Sequence, residues 1–174
     1  RLMVDDGGTR AVVNPVVFEG NTLIFDKAPG TGTGSITLAG PMTVPSGDLV
    51  LALGGSSTMS VVLSGTIANT SALTSITKNG QGNLTLNITG VGSSVPLTFN
   101  GGTALTLFTD GNGSVAPDTV SLGTLTFNAS VAGPAALTIG RAGQTQLWNQ
   151  AFNKILAPSN LEMPNLKYGL SLTN

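Results

Sequence analysis

The strongest constraint on this chain is a run-by-run alternation of apolar residues with small or β-branched polar ones, closed repeatedly by glycine. It is legible in Leu49-Val50-Leu51-Ala52-Leu53, Val61-Val62-Leu63, Leu84-Thr85-Leu86-Asn87-Ile88, Leu97-Thr98-Phe99, Leu105-Thr106-Leu107-Phe108, Leu125-Thr126-Phe127 and Leu137-Thr138-Ile139. A period of two buries one face of a strand and leaves the other to solvent. The Gly, Gly-Gly, Asn-Gly or Asp-Gly after most runs supplies backbone that tolerates positive φ in tight turns. The chain therefore reads as all-β. The phrase apolar-x-apolar-x-Gly, or a near variant, anchors at Leu38, Leu51, Leu63 and Ile76, at Leu86 and Phe99, and at Phe127 and Ile139, in steps of 12 to 13 residues. That regularity fits two architectures. One is a parallel β-helix-like solenoid of stacked rungs; the other is a jelly-roll-like β-sandwich with a donated terminal strand.

The 174 residues form a single β-rich domain in three stretches: N-terminal strands and a loop over 1–33, a repetitive β core over 34–143, and a short helix with a terminal strand over 144–174. Strands are expected around Ala11–Phe18 and Thr22–Phe25, followed by the turn-rich loop Ala28-Pro29-Gly30-Thr31-Gly32-Thr33-Gly34. The helix is expected over Gln144–Leu156, because Trp148, Phe152 and Ile155 fall at i, i+4 and i+7 and Pro158 would stop the pattern. Alternation returns in Leu166, Tyr168, Leu170 and Leu172, a terminal strand.

Composition narrows the chemistry. With no His and no Cys, the chain cannot build a Ser-His-Asp or Cys-His nucleophile, a thiolate or imidazole metal site, or a thiol redox centre. Seven basic and eight acidic side chains leave no surface for tracking phosphates and no polybasic membrane patch, so neither nucleic acid nor a lipid surface is an expected partner. No run approaches the length of a membrane span. The start at Arg1-Leu2-Met3, without an initiator Met or an apolar leader, reads as a mature product or a fragment whose secretory signal has been removed.

Charge is also unevenly placed. Arg1 to Lys27 holds seven charged residues, whereas Leu49 to Gly140 holds only Lys78, Asp110 and Asp118. Natural β proteins guard strand edges with Lys, Pro, bulges or closure, and this long middle has few such guards. Edges consumed by neighbouring rungs or subunits, or a surface of Thr, Ser and Asn, would make that omission sensible outside the cell. Five N-x-[ST] triplets, at Asn69, Asn83, Asn87, Asn112 and Asn128, are candidate N-glycosylation positions in such a setting.

The stretch Ile76-Thr77-Lys78-Asn79-Gly80-Gln81-Gly82-Asn83-Leu84-Thr85-Leu86-Asn87-Ile88-Thr89-Gly90 resembles the autotransporter-associated β-strand repeat, with its Thr-Lys, Gly-x-Gly turn, Leu-Thr-Leu and closing Gly. Val61–Ile67 is similar to the segment leading into that phrase, and Gly34–Gly40 to a weaker copy, so residues 34–90 carry the likeness. Residues 91–140 only echo it and 141–174 do not match. The resemblance implies a right-handed parallel β-helix of the kind found in secreted passenger regions and large bacterial surface proteins.

Among chemical motifs, Asp110, Asn112, Ser114 and Asp118 stand at positions 1, 3, 5 and 9 of a loop, part of the spacing by which a turn wraps calcium. Val115 replaces the required Gly and Ser121 the bidentate Glu, and Asp-Gly with Asn-Gly is a turn signal by itself. The carboxylates Asp5, Asp6, Glu19 and Asp26 come without the aromatic platform of a sugar-cleaving cleft, and Gly30–Gly34 lacks the Lys-Ser/Thr of a phosphate loop. No catalytic residue and no cofactor are expected. The expectation is a non-enzymatic structural subunit of an extracellular or cell-surface assembly, a homo-oligomer or polymer held by β-edge or terminal-strand contacts through Leu166, Tyr168, Leu170 and Leu172. The terminal strand either joins the next subunit or completes its own sheet. An adhesin or passenger fragment, or a phage decoration or tail protein, is the alternative.

Overall fold

The computed structural model describes residues 1–5, 7–30, 32–44, 46–54, 59–68, 72–87, 95–101, 104–109, 118–128, 135–141, 154–162 and 170–173. It is a parallel β-solenoid. In chain order the strands are β1 Leu2–Val4, β2 Thr9–Val12, β3 Val16–Val17, β4 Thr22–Lys27, β5 Gly34–Leu38, β6 Met42–Thr43, β7 Gly47–Leu53, β8 Met59–Leu63 and β9 Ile67–Ala68. They continue as β10 Leu73–Asn79, β11 Asn83–Asn87, β12 Leu97–Phe99, β13 Ala104–Thr109, β14 Asp118–Phe127, β15 Ala135–Arg141, β16 Lys154–Glu162 and β17 Leu170–Thr173. Sheet A runs β1-β4-β7-β10-β12-β14-β16, sheet B runs β17-β15-β13-β11-β8-β5-β2, and sheet C is β3-β6-β9. Among the described residues the chain thus makes three three-sided turns through A, B and C, then four further passes in which strands of A and B are described.

Every strand pair among the described residues is parallel, which excludes the sandwich, since its meanders and Greek keys need antiparallel neighbours. The step of 12 to 13 residues is half a turn. Leu38, Leu63, Leu86 and Ile139 lie in sheet B, while Leu51, Ile76, Phe99 and Phe127 lie in sheet A. Stacking also runs through the proposed boundary at residue 33, because β4 pairs with β7 and β2 with β5.

Parallel register places like on like. In sheet B, Ile36, Val61 and Leu84 form one buried column and Leu38, Leu63 and Leu86 a second. The register carries the first on through Leu105, Leu137 and Leu172. In sheet A, Leu49, Ile76, Leu97 and Leu125 form one column and Leu51, Lys78, Phe99 and Phe127 another. Each fully buried Leu or Phe contributes about 1.5–3 kcal/mol, so these ladders hold the turns together. The outer register of sheet A runs Thr22, Val50, Thr77, Thr98 and Thr126, β-branched residues at about 4.8 Å spacing on a surface that suits them.

One expectation at the C-terminal end is corrected. The helix over Gln144–Leu156 is absent where it can be checked: Lys154, Ile155 and Leu156 open β16, and Pro158 lies inside that strand. Pairing with β14 satisfies the backbone there, and Pro is tolerated because β16 is the edge of sheet A. Trp148 and Phe152 lie outside the described residues, as do Leu166 and Tyr168. Leu170 and Leu172 fall in β17, which pairs with β15 of its own chain, Ala135 to Leu170 and Leu137 to Leu172. Within the single chain, the described part of the terminal strand lies along its own sheet.

Candidate functional site

Among the residues whose side chains are described, the ion pairs and the exposed large hydrophobics lie in the first two turns, β1 to β6. The large hydrophobics exposed among the described residues, Leu2, Met3, Val13, Val17 and Ile24, all belong to the first two turns. The described ion pairs lie there too: Arg1 with Asp26, joining the first turn to the second, and Arg10 Nη2 with Asp5 Oδ2 at 2.9 Å. The Lys27 backbone N–H donates to Asp26 Oδ1 at 2.8 Å and, with Arg1, holds the Asp26 carboxyl below its usual range against the opposing effect of burial. Arg10 occupies an interior register position, opposite Ile36, yet its guanidinium turns outward to Asp5 and to Thr9 O at 3.1 Å.

Away from that end the polar groups serve the stack. Asn128 Nδ2 donates to Asn100 Oδ1 at 3.0 Å, and Asn100 Nδ2 to Asn79 Oδ1 at 2.9 Å, an amide ladder up three turns. Asp48 Oδ1 accepts from Thr74 Oγ1 at 2.6 Å and Ser75 Oγ at 2.7 Å, which lowers its carboxyl below the ordinary value. The register shift between Leu73 and Ser75 lies beside these two hydroxyls. Lys78 is fully buried; its Nζ donates to Gly80 O and Gly101 O and sits 4.8 Å from the Phe99 ring centroid. Burial pushes its ammonium down to about 8. Lys27 Nζ plays the same part lower in the stack, donating to Ala28 O at 3.1 Å and Gly30 O at 2.9 Å.

Of the calcium candidates, Asp110, Asn112 and Ser114 lie outside the described residues, while Asp118 opens β14 in register with Lys154. Among the described residues no three His, Cys, Asp or Glu converge on a cation position. Asp6 also lies outside them, and Asp5 and Asp26 are each tied to an arginine.

Of the sequons, Asn69 and Asn112 lie outside the described residues, Asn83 is half-buried in β11, and Asn128 is half-buried in the amide ladder. Asn87 is corrected as a glycan acceptor. Its side chain is fully buried and Nδ2 donates inward to Ser64 O at 3.0 Å, so the folded protein has no room for a sugar there. Replacing Asn87 with alanine is expected to cost about 1–3 kcal/mol through the loss of the Ser64 carbonyl's amide partner. Urea titration checks this, with peptide mapping of secreted material expected to find Asn87 unmodified.

The geometry defines a class, the parallel β-solenoid. No family model, curated protein or solved structure matches the chain. No helix among the described residues is long and apolar enough to cross a membrane.

Proposed function

We propose that the chain is a non-enzymatic structural subunit of an extracellular or cell-surface assembly, joined to neighbouring copies through the exposed edges of its stacked sheets. One observation carries the reading. Sheet B ends at β17, a strand with no charged residue, and β17 brings the column of Ile36, Val61 and Leu84 in register to an edge with no further strand among the described residues. An unguarded parallel edge with that register is a template for another strand. The likeness of 34–90 to passenger-type repeats supports an exterior setting for such a module.

The test is association of the full chain. Sedimentation velocity and electron microscopy are expected to show end-joined rods or filaments for the native chain. Ser171→Lys with Thr173→Lys, which places charge on the β17 edge, is expected to leave monomers that melt at the native temperature. A native chain that stays monomeric at high concentration in physiological buffer refutes the reading, and a monomer that binds a glycan or protein ligand would replace it with the adhesin.

A further inference from the structure

We infer that Asn79 is a site of spontaneous self-modification: the Gly80 main-chain nitrogen closes on the Asn79 side-chain amide, ammonia leaves, and water reopens the ring to aspartate or isoaspartate. Two Asn-Gly pairs lie among the described residues, Asn79-Gly80 and Asn100-Gly101, and the register of Lys78 with Phe99 stacks them at one corner of sheet A. The pair Asn112-Gly113 lies outside the described residues. Asparagine is a thermolabile residue, and a following glycine puts no Cβ in the path of the attacking nitrogen. The fold cannot dispense with either glycine. Gly80 has φ 88°, and a Cβ there would lie 2.0 Å from Leu53 O; one on Gly101 would lie 2.7 Å from Gly80 O. A corner that needs glycine for space thus keeps an unhindered amide next to an asparagine.

Their surroundings separate the two stacked pairs. Asn100 Nδ2 donates to Asn79 Oδ1 at 2.9 Å, which sets a donor on the oxygen where negative charge gathers as the ring closes. Asn79 Nδ2, the leaving nitrogen, has no hydrogen-bond partner among the described residues. Gly80 is exposed and its N–H makes no hydrogen bond among them, so hydroxide reaches the proton that must be lost. At Asn100 the oxygen is activated alike, by Asn128 Nδ2 at 3.0 Å. Its own nitrogen, however, is held as the donor to Asn79, and Gly101 is buried. Breaking the Cγ–Nδ2 bond of Asn100 therefore costs a hydrogen bond as well, and its nucleophile must be deprotonated away from water.

The reaction balances with water as its only co-reactant. The bond from Gly80 N to Asn79 Cγ forms, the Cγ–Nδ2 bond breaks, and the Gly80 amide proton passes through solvent to the departing nitrogen, which leaves as ammonia. Water then adds to one of the two imide carbonyls. Addition at Cγ restores the main chain with an aspartate, whereas addition at the main-chain carbonyl carbon of residue 79 routes the chain through the side chain as isoaspartate. Aspartate keeps an oxygen for Asn100 Nδ2. Isoaspartate lengthens the main chain ahead of Gly80 and moves its carbonyl off Lys78 Nζ, which donates to Gly80 O and Gly101 O. The modification is in this way coupled to the buried lysine.

The experiment ages the full chain at pH 8, folded in buffer and unfolded in urea, and follows both asparagines by peptide mapping, isoaspartyl methylation and ammonia release. In the folded chain Asn79 is expected to convert roughly fivefold or more faster than Asn100, the rate equivalent of one hydrogen bond, and in urea the two rates are expected to converge. Asn79→Gln, whose longer side chain closes the ring less readily, is expected to resist ageing at this position. Asn79→Asp is expected to melt near the native temperature, and aged protein carrying isoaspartate below it. An Asn79 that stays unmodified in the folded chain, or an Asn100 that converts as fast, overturns the site. A ratio that persists in urea overturns the structural cause, and aged protein that melts like Asn79→Asp overturns the coupling to Lys78.

Discussion

Replacing Gly65 with alanine is expected to abolish the native solenoid or cost on the order of 4 kcal/mol or more, a loss that few single substitutions reach. The corner after sheet B is built by close backbone approach. Val12 O accepts from Ala39 N at 2.8 Å and Gly40 N at 3.4 Å; one turn on, Leu38 O accepts from Ser64 N at 2.9 Å and Gly65 N at 3.1 Å. A Cβ on Gly65 would lie 1.8 Å from Gly40 O and 2.6 Å from Gly40 C. One on Gly40 would lie 2.1 Å from Asn14 O. These neighbours are main chain held on both sides by the ladders, so no rotamer can yield. Set against a total stability of about 5–15 kcal/mol, the expected fall in melting temperature is roughly 8–16 °C where a folded population survives. Gly20→Ala is the control, since a Cβ there meets nothing within 4 Å. Circular dichroism melts of the two variants check the prediction, and equal melts would show that the corner relaxes.

Alternation made the strands of sheets A and B legible, because parity alone sorts Leu84 and Leu86 from Thr85. The same parity, followed through Ile76 and Lys78, or through Arg10 and Val12, places both charges on the interior face. Reading Lys78 as part of a turn phrase and Arg10 as one of seven N-terminal charges obscured that. Sheet C escaped because two-residue strands such as Val16–Val17 and Met42–Thr43 carry no period. The 12 to 13 residue step was visible, but its meaning was not: consecutive anchors face different sheets, a fact of turn geometry that no local pattern states. The expected helix shows the opposite failure. Ile155 fits an i, i+7 pattern with Trp148, yet β16 lies along β14 and draws Lys154–Leu156 into a ladder whose backbone partners a local pattern cannot see.

The second large effect is set by Lys78. It stands in the column Leu51, Lys78, Phe99, Phe127, with the Phe99 and Phe127 rings 5.7 Å apart and tilted by 52°. Gly80, at φ 88° and with Leu53 O 2.0 Å from where a Cβ would be, brings its carbonyl inward to the ammonium, and Gly101 does the same one turn on. Burial lowers the folded-state value to about 8 from 10.5, so the unfolded chain holds more protons between those limits. Stability attributable to this group is therefore lowest below about pH 8 and rises as pH climbs toward 10.5, by on the order of 3 kcal/mol. The neutral amine keeps N–H donors for both glycine carbonyls, so it sheds the cost of a buried charge without orphaning them. Lys78→Met, close in volume, is expected to lose this pH dependence. Lys78→Ala opens a cavity beside Phe99 and leaves both carbonyls without the amine, and is expected to cost about 3–5 kcal/mol at pH 7. Denaturant midpoints of the three proteins at pH 7 and pH 10 decide it: a native-minus-Met difference that does not move with pH would mean that the buried ammonium is not desolvated as its surroundings imply.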